Sequence, residues 1–237
     1  NGCTNYGGKI DVAVSSTSCS SEATGRGAGI AGLIVSAAKN EIARGNMDTP
    51  LSANEIKQII TMSADDINFS DNYWSFFPLF QTMRFHSGPG WDQYSGYGRV
   101  NANKAAGMIR DHKIPPEADI IEPKWFATLD PDKKPVINII GSVAAKRAES
   151  YSYKVEYGYG VQPKPDEWKN VTPEPVTSDQ PIANGILCTW NIKNLQKDTQ
   201  DRTSPPQDPN NFTVTLRVVV TDNNGNTGKC RKTLYIH

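Results

Sequence analysis

The 237-residue chain is poor in the residues that build metal sites: it has three histidines and four cysteines, and no two cysteines form a Cys-x-x-Cys pair. A structural zinc site is therefore not expected, and no other cofactor is expected either. The chain also lacks net charge, because 25 Lys and Arg residues balance 25 Asp and Glu residues. This balance gives no electrostatic reason to expect nucleic acid or an acidic membrane surface as a partner.

Two further absences concern apolar runs and the start of the chain. No apolar run approaches the ~18 residues that cross a bilayer, so no membrane span is predicted. The sequence begins at Asn1 without a methionine or a signal peptide, and we expect a processed product or an excised piece of a longer protein. A chain of this length is expected to form two domains of ordinary size.

The most strongly patterned stretch covers residues 22–39, where a glycine-rich segment runs into an apolar one. The apolar side chains recur with the spacing of a helix that faces a core, at Ile30, Leu33, Ile34, Ala37, Ala38 and Ile42. Gly25, Gly27, Gly29 and Gly32 each cost a helix about 1 kcal/mol relative to alanine. The sequence therefore predicts a glycine-rich turn, used for close backbone approach, at the start of a buried helix.

This stretch resembles the nucleophile helix of subtilisin-like serine proteases, whose pattern is Gly-Thr-Ser-Met-Ala-x-Pro-His-Val-Ala-Gly followed by an apolar helix. Aligned on residues 30–32, the family's nucleophilic serine falls on Thr24, and its Pro-His pair falls on residues 28–29. Residues 16–19, Ser-Thr-Ser-Cys, also imitate Gly-Thr-Ser-Met. Ser18 is therefore a second candidate for the nucleophile position, although it requires extra residues before the helix.

Three flanking segments extend the resemblance over residues 5–109. Residues 5–13 look like the family's strand before the nucleophile, residues 51–60 resemble its next helix, and residues 96–102 resemble its closing strand-to-helix turn. The resemblance implies the C-terminal part of a secreted serine endopeptidase that acts on protein substrates. In the family, the catalytic aspartate, histidine and oxyanion asparagine all lie before the strand that opens this chain.

The resemblance thus implies a chain that is inactive alone. His86, His112 and His237 all follow the helix, so none occupies the position of the family's histidine. The missing groups would come from an N-terminal catalytic half, and an apolar helix face left without that half is expected to be exposed and to favour self-association. The alternative is a non-catalytic pseudopeptidase at the cell surface.

Local signals predict where the helices begin and end. Gly45 is typical of a helix C-terminus, Ser52 and Glu55 form a capping box before the second helix, and Asn101 suits the N-cap of a third. Residues 66–95 are aromatic and irregular, which favours a long loop. Asp65, Asp66 and Asp71 could hold calcium, but solvated turn carboxylates are the preferred interpretation.

The pattern changes after residues 114–118, whose consecutive prolines predict a linker. Beyond it, short β-type runs alternate with turns, at residues 135–140, 150–157, 185–192, 213–221 and 229–236. Residues 222–225, Asp-Asn-Asn-Gly, predict a hairpin between the last two runs. We therefore expect an antiparallel β-sandwich over residues 119–237, similar to fibronectin-type III and immunoglobulin-like modules of bacterial surface proteins.

The predicted fold class is accordingly α/β plus all-β. Residues 1–113 are expected to place helices on a truncated sheet, and residues 119–237 to form the β-sandwich. In the alternative function, this β-sandwich binds protein or glycan at the cell surface. Either function is expected of a secreted or cell-surface protein.

The four cysteines, Cys3, Cys19, Cys188 and Cys230, fall two in each expected domain. Pairing within each domain suits an exported protein, but four unpaired thiols are also compatible with the sequence. Since Cys188 and Cys230 lie in two expected strands of one sandwich, we predict a disulfide between them.

Overall fold

The computed structural model describes residues 6–18, 20–68, 87–195 and 212–237. The chain divides into two compact units, Asn1–Lys113 and Ile114–His237. Within the described ranges, no helix is both long enough and apolar enough to cross a membrane. Cys3, Cys19, Asp71, His86 and the aromatic residues between positions 69 and 86 lie outside the described residues.

Three helices form the framework of the first unit: α1 (Ser20–Ala43), α2 (Ala53–Met62) and α3 (Ala102–Arg110). The helices pack on one another, and each contributes one fully buried isoleucine: Ile34, Ile59 and Ile109. Burial of an isoleucine side chain stabilises the fold by about 1.5–3 kcal/mol relative to leaving it exposed. These three side chains therefore hold the helices together.

The predicted caps are present at the helix ends. Gly45 follows α1 with a φ of 76°, and its N–H donates to the Ile42 carbonyl at 2.9 Å. The Ser52 hydroxyl accepts from the Glu55 N–H at 3.0 Å, and the Glu55 carboxylate accepts from the Ser52 N–H at 2.8 Å, which completes the capping box of α2. Asn101 caps α3 through a 2.9 Å bond from the Lys104 N–H.

The strand that the resemblance implied over residues 5–13 does not form in the part that is described, residues 6–13. In the described part of the first unit, residues 11–13 instead lie against the turn before α3, with isolated bridges such as Val12 to Gly96. The Tyr97 N–H donates to the Asp11 carbonyl and the Ala13 N–H donates to the Gly98 carbonyl, both at 2.8 Å. Because these bonds satisfy the segment's backbone locally, the expected truncated sheet is not seen among those residues.

Two glycines make this turn possible. Gly96 and Gly98 have φ angles of 64° and 116°, which side-chain-bearing residues rarely adopt. A Cβ atom on Gly96 would lie 2.2 Å from the Asp11 carbonyl oxygen, and one on Gly98 would lie 2.1 Å from the Asp65 carbonyl oxygen. Among the described glycines of the first unit, Gly96 and Gly98 therefore lie closest to other backbone atoms.

The second unit contains nine strands and two sheets among its described residues. The strands are β1 (Glu117–Glu122), β2 (Thr128–Leu129), β3 (Val136–Ala144), β4 (Tyr151–Tyr159), β5 (Lys169–Asn170), β6 (Val176–Ser178), β7 (Ile182–Asn191), β8 (Thr213–Asp222) and β9 (Thr227–Ile236). One sheet has the order β1-β3-β7, and the other has the order β2-β9-β8-β4-β5, with β6 paired to β4. With the three helices, these sheets make the chain a mixed α/β protein.

Both sheets contribute to one buried cluster. Ile139 of β3 and Trp190 of β7 come from the first sheet, and Val155 of β4, Leu216 of β8 and Leu234 of β9 come from the second. Each of the five predicted β-type runs overlaps one of β3, β4, β7, β8 and β9. The first strand, β1, begins inside the stretch that was predicted as a linker.

The hairpin between β8 and β9 forms where it was predicted. The Asp222 carboxylate accepts from the N–H groups of Asn224 and Asn226 at 2.9 and 2.8 Å, and Gly225 has a φ of 85°. Only Gly225 supplies a positive φ in this loop, so the turn depends on the aspartate side chain as well as on the glycine.

The predicted disulfide between Cys188 and Cys230 is wrong, because neither cysteine is part of a disulfide. Cys188 lies on β7 in the three-stranded sheet and Cys230 lies on β9 in the other sheet, so their strands are not neighbours. Burial raises the pKa of the Cys188 thiol to about 11. A thiol with so high a pKa is almost fully protonated at neutral pH and therefore a poor nucleophile.

Candidate functional site

The start of α1 is the candidate site, because both sequence-predicted nucleophile positions lie there. Ser18 precedes the first helical residue, Ser20, by two positions, whereas Thr24 lies inside the helix. Both residues are exposed. The glycine-rich turn predicted over residues 22–29 is thus wrong: that segment is already helical.

Thr24 is engaged with its own helix. Its hydroxyl donates to the Ser20 carbonyl at 2.8 Å, which is the usual bond of a threonine to the carbonyl four residues earlier. A nucleophilic hydroxyl has to donate to a general base instead. Thr24, which aligns with the family's serine, therefore has its hydroxyl hydrogen-bonded to a carbonyl of its own helix.

The segment that contains Ser18 is organised by the Glu22 carboxylate. This carboxylate accepts from the Ser16 hydroxyl at 2.9 Å and from the backbone N–H groups of Thr17 and Ser18 at 3.1 and 2.9 Å. The Thr17 hydroxyl adds a further bond at 3.1 Å. Glu22 thus satisfies backbone donors just before the helix, where a negative charge is also favoured by the helix dipole.

The hydrogen bonds to Glu22 change the pKa of its carboxyl group. The pKa of Glu22 is lowered, first by the bond from the Ser16 hydroxyl and then by Thr17, Arg26 and the Ser18 N–H, although partial desolvation opposes the shift. Arg26 lies one turn further along α1, where it forms an ion pair with Glu22 and donates to the Ser15 carbonyl at 2.8 Å. The carboxylate therefore stays ionised and held in place at neutral pH.

The Glu22 carboxylate is not suited to act as the base for serine chemistry. A general base works best with a pKa near the working pH, and the pKa of Glu22 is displaced the other way. The pKa of the Glu41 carboxyl is lowered chiefly by the hydrogen bond from the Asn46 amide. His112 makes a smaller contribution in the same direction. Glu41 lies 17 residues after Thr24 in the same helix, which corresponds to about 25 Å along the helix axis.

The N–H group at Ser18 is also unavailable as an oxyanion donor. It points at the Glu22 carboxylate at 2.9 Å and at the Ser16 hydroxyl oxygen at 3.1 Å. An oxyanion hole needs preorganised donors that point at the reacting oxygen. With Glu22 in place, the donor of Ser18 is used internally.

The glycines of α1 do not have the predicted role. A Cβ atom would meet nothing within 4 Å at Gly25, Gly29 or Gly32, and at Gly27 it would make only an ordinary contact, 3.8 Å from the Val14 side chain. Leu33, on the same helix, is 46% exposed. Among the described residues, this face of α1 is therefore open rather than closely packed.

Asp65, predicted as a solvated turn carboxylate, is held by its neighbours. It accepts from Lys104 at 2.6 Å and from the Asn101 amide at 2.9 Å, and these bonds, led by Lys104, lower its pKa. The part of the chain that the structure describes has no group of three or more His, Cys, Asp or Glu side chains that could hold a metal ion. Asp65 thus stabilises the start of α3.

Glu22 is the residue whose role the sequence reasoning missed. It is the third residue of α1, which is the position of the glutamate in a capping box. Aligning the region on the protease helix placed the helix start too late and hid that signal.

No known protein family matches the chain in a comparison with family profiles, and no curated protein matches it either.

Proposed function

We propose that this chain is the C-terminal part of a secreted subtilisin-like serine endopeptidase and that it has no peptidase activity by itself. The observation that supports inactivity is the hydrogen bonding at the start of α1. Thr24 donates to the Ser20 carbonyl, the Ser18 N–H donates to Glu22, and His112, the described histidine of the first unit, lies beside Glu41 in the second half of α1. Membership of the family is supported by the sequence resemblance over residues 5–109.

The expected loss of activity is large. Acyl transfer by a serine requires a histidine base, a carboxylate that orients it and an oxyanion donor. Removing the members of such a triad costs on the order of 10⁴-fold or more in rate even where the remaining parts are intact. At α1 the base is absent from the described surroundings and the Ser18 donor is occupied, so both contributions are lost.

A second function is favoured by the Glu22 network. In a non-catalytic pseudopeptidase, the former site is free to become a structural cap, and the Glu22 carboxylate does this for the segment around Ser18. The second unit, as a sandwich of its two sheets, then binds protein or glycan at the cell surface. The shared core of both sheets supports the sandwich arrangement.

A peptide-hydrolysis assay on the purified chain tests the proposed inactivity. We expect no turnover from the chain and none from Thr24→Ser, because the new hydroxyl still lacks a base. Ser18→Ala serves as the matched control at the other candidate position. Turnover above that of Ser18→Ala, in either protein, contradicts the proposal.

The two functions differ in what the natural polypeptide does. If the family's aspartate, histidine and oxyanion asparagine are encoded upstream of Asn1, the peptidase function predicts hydrolysis by that polypeptide. The pseudopeptidase function predicts none. The upstream reading frame and the same assay therefore separate them.

A further inference from the structure

A groove of ≈ 520 Å³ lies in the second unit beside the first half of β3. One wall is formed by β3 and the other by residues 127–130, which include β2. Ile137, Leu129 and Ile192 line it and are only 8%, 5% and 0% exposed, whereas Val136 at its rim is 47% exposed. The groove therefore combines an apolar floor with an accessible strand edge.

The groove exists because β1 pairs with only half of β3. The β1–β3 ladder runs from Glu117 opposite Ala144 to Glu122 opposite Ile140, and it stops there. The chain then leads to β2, which pairs with β9 in the other sheet. Within the described residues, positions 136–139 of β3 have a strand partner, β7, on one side only.

The exposed side of β3 presents backbone donors and acceptors. The Ile192 N–H donates to the Pro135 carbonyl, so residues 135, 137 and 139 direct their backbone groups toward β7. Because these directions alternate along an antiparallel strand, Val136 and Asn138 direct their N–H and C=O groups toward the groove. In the described chain, no strand or turn residue bonds to them from that side.

We propose that this groove binds an extended peptide of a partner protein by strand addition to β3. The peptide continues the line of β1 and therefore runs antiparallel to β3. Four residues of such a strand span about 14 Å. Alternate side chains point onto the apolar floor, while backbone hydrogen bonds to Val136 and Asn138 supply affinity. This inference does not depend on the peptidase resemblance.

The charges around the groove indicate the chemistry of the peptide. The lining carboxylates are already paired: Glu122 with Lys124 and Asp130 with Lys133, each at 3.0 Å. Lys134 also lines the groove, and none of the described residues forms an ion pair with it. Lys134 precedes β3, and an antiparallel peptide brings its C-terminal end to that point. The bound peptide therefore carries an acidic group near its C-terminus.

A five-residue probe, Thr-Val-Thr-Val-Asp, tests the proposal on the full chain, with fluorescein at its N-terminus and an amidated C-terminus. Titration to millimolar probe is followed by fluorescence anisotropy and by ¹H–¹⁵N NMR. We expect the Val136 and Asn138 amide signals to shift and their hydrogen exchange to slow. No change at these two amides overturns the proposal.

Backbone methylation of the probe distinguishes strand addition from unspecific apolar binding. Two sets of alternate probe amides can be N-methylated, and only one set points at β3 in a given register. We expect one methylated probe to lose at least tenfold in affinity and the other to stay within about threefold. Equal effects of the two methylation patterns contradict strand addition.

The acidic requirement is tested with matched lysines. Lys134→Glu is expected to weaken the probe by about two- to fivefold, as for an exposed ion pair, and a probe ending in Lys should recover that loss. Lys164→Glu is the control, because Lys164 pairs with Glu167 and neither residue lines the groove. Equal weakening by both variants, or no recovery with the Lys probe, contradicts the assigned orientation.

Discussion

The starts of α1 and α3 look alike in sequence, since each combines glycines with small polar residues, but they are built differently. Before α3, Gly96 and Gly98 lie against the backbone of Asp11 and Asp65. Along α1, the faces of Gly25, Gly29 and Gly32 are open. Glycine content alone therefore does not indicate close backbone approach. A positive φ does not indicate it either, because Gly45 and Gly90 have positive φ angles and a Cβ there would meet nothing within 4 Å.

The polar groups at the two starts also differ in what they hold. At α3, Asp65 joins Asn101 and Lys104, so the carboxylate links the helix to the rest of the first unit. At α1, Glu22 joins Ser16, Thr17 and Ser18, which are its close neighbours in the chain. The first arrangement stabilises tertiary structure, and the second caps a single helix.

Gly98→Ala should have the largest effect. Its Cβ atom would lie 2.1 Å from the Asp65 carbonyl oxygen, in a residue with a φ of 116°, so both a clash and backbone strain are introduced. We expect a loss of about 3 kcal/mol in the free energy of unfolding. Urea unfolding followed by far-UV circular dichroism measures it. A variant as stable as the parent chain would remove the contrast between the two helix starts.

Gly29→Ala should have a smaller effect of opposite sign. No atom lies within 4 Å of the added methyl group, and alanine favours the helix by about 1 kcal/mol relative to glycine. The same urea experiment should therefore report a gain of roughly 0.5–1 kcal/mol. Destabilisation would mean that the α1 face is packed after all.

Asp65→Asn should change the response to acid. Because Lys104 and then Asn101 lower the pKa of Asp65 from its ordinary 3.8, the carboxylate contributes stability above that pH. This contribution is lost as pH falls through the folded-state value. Urea midpoints measured at successively lower pH should fall less steeply for Asp65→Asn. Parallel curves for the two proteins would count against the Lys104 and Asn101 contacts.

Glu22→Gln should have the smallest and most local effect. The pKa of Glu22 is lowered from its ordinary 4.5, chiefly by Ser16, so the carboxylate accepts from the Thr17 and Ser18 N–H groups above that pH. Protonation at lower pH, or the Gln substitution at neutral pH, should speed hydrogen exchange at these amides. Exchange rates at Val155, in the second unit, serve as the control. Unchanged exchange at residues 17 and 18 would refute the Glu22 cap.

The features that were predictable from sequence are those with local causes. The caps at Gly45, Ser52 and Asn101 depend on residues within one turn, and all of them form. The long strands of the second unit were visible through their β-type composition. The two-residue strands β2 and β5 have too few positions for a pattern, so they were not predicted.

The failures depend on arrangement in space. The disulfide prediction assumed that the strands of Cys188 and Cys230 are neighbours. The order of strands in the two sheets cannot be predicted from the local sequence of each strand. The start of α1 was placed too late because four glycines outweigh the Glu22 cap on a propensity scale. Likewise, the groove beside β3 arises from where β1 ends, which no single segment encodes.

Fluorophosphonate labelling tests the central claim, that the start of α1 is a cap and not a nucleophile site, most directly. The purified chain, Thr24→Ser and Glu22→Gln are each incubated with the label, and peptide mass spectrometry determines the stoichiometry at residues 18 and 24. We expect no labelling above that of Ser18→Ala at either position. Stoichiometric labelling at residue 18 or 24 of any of these proteins would contradict it.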